Sequence, residues 1–190
     1  MQIALFPGSF NPVHRGHVEL ANSVLNQQLA DEVWMIVSPR NPLKSNVLVD
    51  EEHRKAMLEL ALENHSAIRA SDVEFSLPVP SYSINTLQYL KSHYPENHFK
   101  LMIGSDNALI FNQWKSYEEI LQSFPVYVYP RRGFPVADAL ILYPQMHALQ
   151  TPLFDISSTS IRKMIAGNED TAQWLHPFVK EYISQNGLYR

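Results

Sequence analysis

The chain has 190 residues, enough for one substantial core, and its 45% hydrophobic and 18% charged content is ordinary for a globular protein. With 15 Lys and Arg against 19 Asp and Glu the net charge is −4, which argues against a dedicated binder of nucleic acid polymers; any phosphate must be met by a local site. No cysteine is present, excluding disulfides, thiolate metal sites and a cysteine nucleophile, and neither a signal peptide nor an apolar run of the ~20 residues needed to cross a membrane occurs, so a cytoplasmic protein without a membrane partner is expected.

In chain order, residues 2–6 form a short apolar run that stops at Pro7-Gly8 and predict a buried strand. Residues 17–29 carry Val18, Leu20, Ala21, Val24, Leu25 and Leu29 at helical spacing. The run VWMIV (33–37) predicts a second strand, and the proline-bearing SPRNPLKSNVLVD that follows predicts a loop. Asp50 then caps a helix, EEHRKAMLELALEN, with two acids in its first turn.

Residues 67–75 predict a strand, 83–94 a helix ending before Pro95, and FKLMI (99–103) a strand followed by GSD. Ser116 opens a short helix, YEEILQS, and residues 126–129 give another strand. Two weaker apolar stretches stand at 140–142 and 150–154. From residue 157 onward the pattern is helical, broken at Gly167 and Pro177. Strands alternating with helices predict an α/β fold: a Rossmann-like, doubly wound, mostly parallel sheet with a helical C-terminal part. No linker rich in Gly, Ser or charge divides the chain, so one domain over 1–190 is expected.

The junction after the first strand reads GSFNPVHRGH. Ligands of open α/β sheets sit outside the carboxyl ends of the strands, and the following helix turns its free N–H groups and positive dipole end to the same place, which favours anions. Gly8 permits close backbone approach, Gly16 leaves room for packing, and the imidazoles of His14 and His17, three apart, can each donate to a phosphate oxygen. A histidine at a helix start is often only a surface or capping residue. Two could also hold a metal, yet no third ligand stands beside them in sequence.

This stretch resembles the GxFxPxHxGH signature of the HxGH nucleotidyltransferases, a superfamily of adenylyl- and cytidylyltransferases. The resemblance implies ATP binding by Gly8, Ser9, Phe10, Asn11, His14 and His17, with the two histidines at the reacting phosphate. The common pattern has aspartate where this chain has Asn11, which keeps the hydrogen-bonding reach and removes a charge. A second segment, ISSTSIRK, resembles the ISSTxIR motif of the same superfamily. Hydroxyls gather there at a helix N-terminus, with the Arg162 fork one turn on. The likeness implies that Ser158, Thr159 and Arg162 hold the β- and γ-phosphates. SST before a helix, taken alone, is only a cap.

PSYSINTL (80–87), MIGSDNALIFNQWKSYEEIL (102–121), NPLK (41–44) and the closing YISQNGLY resemble segments of bacterial nicotinate-nucleotide adenylyltransferases, in that family's order. The resemblance implies that Lys44 assists catalysis with His14, His17 and Arg162 and helps hold phosphate. It further implies that Gly104 and Asp106 meet a nucleotide, and that Tyr82, Thr86, Asp106 and Trp114 lie near a pyridine mononucleotide. Without it, Trp114 reads as a core residue and Tyr82 and Thr86 as strand or cap residues. The implied reaction joins the mononucleotide to the AMP part of ATP, with Mg²⁺ arriving on ATP and no metal held by the protein. Competing readings are a sister enzyme using nicotinamide mononucleotide or another phosphorylated acceptor, and a non-catalytic nucleotide sensor. Self-association is left open.

Overall fold

In the computed structural model, which describes residues 1–39 and 48–190, six parallel strands form one sheet in the order β3-β2-β1-β4-β5-β6. The strands are β1 (Gln2–Gly8), β2 (Glu32–Val37), β3 (Ile68–Ser71), β4 (His98–Gly104), β5 (Val126–Tyr129) and β6 (His147–Ala148). This 3-2-1-4-5-6 order is that of the dinucleotide-binding Rossmann fold, and it reverses direction between β1 and β4. The two central strands are near-continuous apolar runs, IALF and LMI, because both of their faces are covered. They pair in parallel from Gln2↔His98 to Leu5↔Leu101, and past that point their carboxyl ends separate.

The helices are α1 (Arg15–Asn26), α2 (Glu51–Ala61), α3 (Ser83–His93), α4 (Ser105–Ala108), α5 (Tyr117–Ser123), α6 (Val136–Leu142), α7 (Ser158–Ala166) and α8 (Pro177–Gln185). They divide between the two faces. Leu20 and Val24 of α1, Met57 of α2, Ile161 of α7 and Val179 of α8 join Phe6 and Met35 in one core. Ile84 and Leu87 of α3, Ala108 of α4, Ile120 of α5 and Ala139 of α6 join Leu5, Ile36 and Leu101 in the other. Successive residues of a strand point to opposite faces, so neighbours such as Leu5 and Phe6 serve different cores. Among the described residues no helix is long and apolar enough to cross a membrane.

Most expected elements form close to their expected bounds, and residues 126–129 match β5. Asp50 caps α2 by accepting the Glu52 N–H at 2.9 Å. The strand expected over 67–75 stops at Ser71, and Val73–Ser76 forms a single 3₁₀ turn instead. That turn carries the buried Glu74 inward to accept a hydrogen bond from Thr86 at 2.8 Å. Residues 140–142 end the helix α6, where Ala139 is buried and Ile141 and Leu142 are exposed. Residues 150–154 have no regular structure; Phe154 at their end, with Ile156 just beyond, packs on the first core.

Candidate active site

At the carboxyl edge of the sheet, where β1 and β4 part, lies a cavity of about 460 Å³. Both of the motifs singled out in sequence line it, together with Tyr82, Trp114 and Arg131. The cavity straddles the sheet. The signature loop and α7 belong to the core that holds Phe10 and Ile161, whereas Tyr82 and Trp114 pack on the other.

The signature loop leaves β1 at Gly8 and enters α1 at Arg15, with His14 as the helix N-cap. The His14 N–H donates to Nδ1 of His17 at 3.2 Å. That nitrogen must therefore be unprotonated, and the proton of the neutral His17 ring sits on Nε2. The two imidazoles stack with centroids 3.6 Å apart, and Phe10 meets His17 edge-on at 5.1 Å. His14 is 4% exposed. Burial, with a smaller contribution from the nearby Arg131 charge, pushes its pKa down to about 3. At neutral pH it is an uncharged donor that an arriving polyanion can recharge. Its Nδ1 is buried with no hydrogen-bond partner among the described residues.

Gly16 separates the two histidines for a steric reason. A Cβ there would lie 3.2 Å from His14 Nδ1, from Ile156 Cγ2 and from Phe154 Cβ. Its absence lets the chain that leads into α7 pass directly over the start of α1. Through that approach the distant motif meets the first one. Arg162 Nη1 donates to the Asn11 carbonyl at 2.7 Å, and the Ser158 hydroxyl donates to the Pro12 carbonyl at 2.9 Å. Ser157 caps α7 by a reciprocal exchange with Ser160, at 3.1 Å in both directions. The Ser158 hydroxyl proton is thus committed to holding the loop. What α7 presents to an anion is the N–H groups of Ser158 and Thr159, which at the first helical positions have no intrahelical acceptor. Thr159 Oγ1 accepts from Arg162 Nη2 at 3.2 Å.

Asn11 is 3% exposed, and its Oδ1 accepts from the Tyr189 hydroxyl at 2.8 Å and from the Val49 N–H at 3.4 Å. A neutral amide makes these bonds without the cost of burying a carboxylate, which accounts for asparagine at a position that is often acidic. Ser9 and Phe10 line the cavity beside it, and Phe10 holds a left-handed backbone conformation, φ 44°.

At the end of β4, a Cβ on Gly104 would lie 2.9 Å from Arg131 Cγ and 3.2 Å from Tyr129 Cε2, so the loop after β5 closes directly over it. Ser105 fastens that loop: its hydroxyl donates to the Phe134 carbonyl at 2.6 Å and accepts the Arg131 N–H at 2.9 Å. Gly104 lines the cavity; Asp106 stands outside the lining, facing Arg131 Nε at 3.7 Å. Trp114 packs on Phe111 at 5.0 Å and also lines the cavity, so its core role and its cavity role coincide. Tyr82 is the N-cap residue of α3.

Thr86 departs from expectation. It is 3% exposed and does not line the cavity, because its hydroxyl is spent on the buried Glu74. The Glu74 pKa is raised by burial, against the hydrogen bonds that lower it. Lys44 and its NPLK segment lie outside the described residues.

Sequence reasoning missed four contributors. Arg131, Lys115 and Ser38 line the cavity. Arg54, wholly buried, donates to the carbonyls of Val49, Ser9 and Ser38, each at 2.8 Å, and of Pro39 at 3.2 Å. It ties the signature loop to the end of β2. Its signal was present as an arginine within the apolar stripe of α2, alongside Met57, Leu58 and Ala61.

Among the described residues the lining holds Lys115, Arg131, Arg162 and two imidazoles but no carboxylate, and no group of three or more His, Cys, Asp and Glu able to hold a metal occurs. The arrangement suits a polyanion and offers no acid cage for a divalent cation.

A family model described as cytidylyltransferase-like matches residues 5–164. A "probable nicotinate-nucleotide adenylyltransferase" of Flavobacterium johnsoniae is 41% identical over 192 residues, covering 100% of both chains. One of the same name from Bacteroides fragilis is 46% identical over 182 residues, 95% of this chain and 90% of that one. Among solved structures, a Plasmodium falciparum nicotinic acid mononucleotide adenylyltransferase complexed with NaAD superposes with a TM-score of 0.85 at 23% identity, over 99% of this chain and 97% of that one. At that identity the likeness establishes the fold.

Proposed function

The chain belongs to the cytidylyltransferase-like family, and from that membership and its adenylyltransferase relatives we infer a nicotinate-nucleotide adenylyltransferase of NAD biosynthesis. It transfers AMP from ATP to nicotinate mononucleotide, giving deamido-NAD and pyrophosphate. The observation that carries the assignment of roles is the meeting of two segments some 150 residues apart in one cavity. His14 and His17 stand beside a loop whose carbonyls are held by Ser158 and Arg162.

In the reaction an oxygen of the acceptor's phosphate attacks the α-phosphorus. The bond from that phosphorus to the bridging oxygen breaks, and pyrophosphate leaves with the bonding electrons. The nucleophile is a phosphate monoester whose second pKa is about 6, so it arrives largely ionised and needs no general base. The protein's task is alignment and charge neutralisation. His14 and His17 donate to the α-phosphate. Arg162 and the first N–H groups of α7 take the outgoing β- and γ-phosphates. Gly8, Ser9, Phe10 and Gly104 shape the nucleotide's bed, and Tyr82 and Trp114 offer flat faces to the pyridine ring.

Mg²⁺ is taken to enter with ATP as part of the substrate, where it would help to neutralise phosphate charge. No step is assigned to a protein-held metal. A substrate such as ATP and the cysteine-free composition support a cytoplasmic setting.

The test is release of pyrophosphate on mixing the protein with ATP, Mg²⁺ and nicotinate mononucleotide, against nicotinamide mononucleotide alongside. Turnover with the nicotinate substrate is expected, and His17→Ala should lower it by a factor on the order of 10²–10³ while folding is retained. Nucleotide binding without pyrophosphate release would reject the enzyme reading in favour of a sensor.

A further inference from the structure

We propose that Lys115 selects an acceptor whose ring bears a carboxylate over one bearing the uncharged amide. The inference rests on the adenylyl-transfer reading and names what sets acceptor choice at that same site.

The part of the cavity on the α3 and α5 face of the sheet is aromatic, formed by Tyr82 and Trp114, with Lys115 beside them. The ammonium of Lys115 stands 4.9 Å from the centroid of the Tyr82 ring. That contact holds it at a ring face but leaves its charge unneutralised. Among the described residues no carboxylate lies within salt-bridge reach of it.

The remaining polar groups there point to the same ligand chemistry. The Trp114 indole N–H, a donor only, is buried without a partner among the described residues. The first N–H group of α3, at Ser83, lies in the same lining and lacks an intrahelical acceptor. An anion satisfies a cation and a set of donors together. An amide brings an NH₂ group of its own against them and leaves part of the set unpaired.

The triphosphate does not account for this cation. His14, His17 and Arg162 lie with the signature loop and α7, whose apolar residues Phe10, Val13 and Ile161 belong to the opposite core. A positive charge at the aromatic end is surplus to phosphate neutralisation and complementary to a charged ring substituent.

The experiment compares kcat/KM for nicotinate mononucleotide and nicotinamide mononucleotide in the wild type, Lys115→Met and Lys115→Arg, with the ATP KM measured for each. Lys115 is exposed, so these changes leave the core intact. Lys115→Met is expected to lower the nicotinate value about tenfold, as loss of one partly screened ion pair would, and to leave the nicotinamide value within about threefold. Lys115→Arg should keep most of the preference, and added salt should narrow it in the wild type. An equal fall with both acceptors, or a raised ATP KM at an unchanged ratio, overturns the proposal. A wild type that turns over neither acceptor defeats the adenylyl-transfer reading itself; a working wild type whose ratio survives in Lys115→Met defeats only the role of Lys115.

Discussion

Replacing Arg54 with methionine should cost about 3 kcal/mol of folding free energy and raise the ATP KM with it. The guanidinium is fully buried and spends its hydrogen bonds on four backbone carbonyls, those of Val49, Ser9, Ser38 and Pro39. Methionine fills much of the space and donates nothing. A buried acceptor stranded in this way costs roughly 1–3 kcal/mol. The bond to Ser38 is wholly enclosed and is assigned about 2 kcal/mol; the other three, which water can partly relieve, are assigned somewhat under 1 each. Release of the cation from its own desolvation offsets part of this loss. Against a total stability on the order of 10 kcal/mol the variant still folds, so both consequences can be measured. Ser9 and Ser38 line the cavity, and loosening them should blur the nucleotide's bed. Urea unfolding followed by tryptophan fluorescence gives the first quantity, and steady-state kinetics at varied ATP the second. Arg54→Lys, whose three donors diverge from one point, should recover about half of the loss. A stability change under about 1 kcal/mol with an unaltered ATP KM would refute the claim that this arginine positions the loop.

The low pKa of His14, about 3 against an ordinary 6.5, means that the unfolded chain binds a proton the folded one refuses. The associated stability is complete above pH 6.5 and drains as pH falls toward 3, at up to about 1.4 kcal/mol per pH unit; His14→Asn should flatten that slope in urea titrations between pH 6 and 4, and an unchanged slope would contradict the burial argument. Thr86→Val removes one of the donors to the buried Glu74 and should lower stability by roughly 1–3 kcal/mol with little effect on the acceptor's KM. A tenfold rise in that KM at unchanged stability would return Thr86 to the acceptor site.

What the sequence disclosed depended on whether a residue's job leaves a pattern along the chain. Apolar runs such as VWMIV and VYVY, short and rich in β-branched and aromatic residues, suit strands covered on both sides, and they appear where expected. The two motifs at the cavity were legible because hydroxyls, glycine and imidazoles cluster there at fixed spacing. Residues whose partners are remote in sequence left no such trace. Ser105 bonds to Arg131 and Phe134, and Asn11 to Tyr189; nothing local marks either. The 3₁₀ turn at Val73–Ser76 interrupts an expected strand for the same reason, since only the fold brings Glu74 against Thr86. The helix α6 was obscured differently. It buries just Ala139, so seven residues carried too little periodicity to separate it from a short apolar strand.

The partition of the cavity by the edge of the sheet has a bearing on how this protein can be re-engineered. On the proposed roles, the groups that handle ATP and those that face the acceptor ring pack, among the described residues, in separate apolar layers on the two faces of the sheet. On those proposed roles, changes among α3, α5 and the turn bearing Trp114 should alter which ring is admitted while leaving the residues around α1 and α7 in place. A scaffold so divided can swap one customer without relearning how to handle the other.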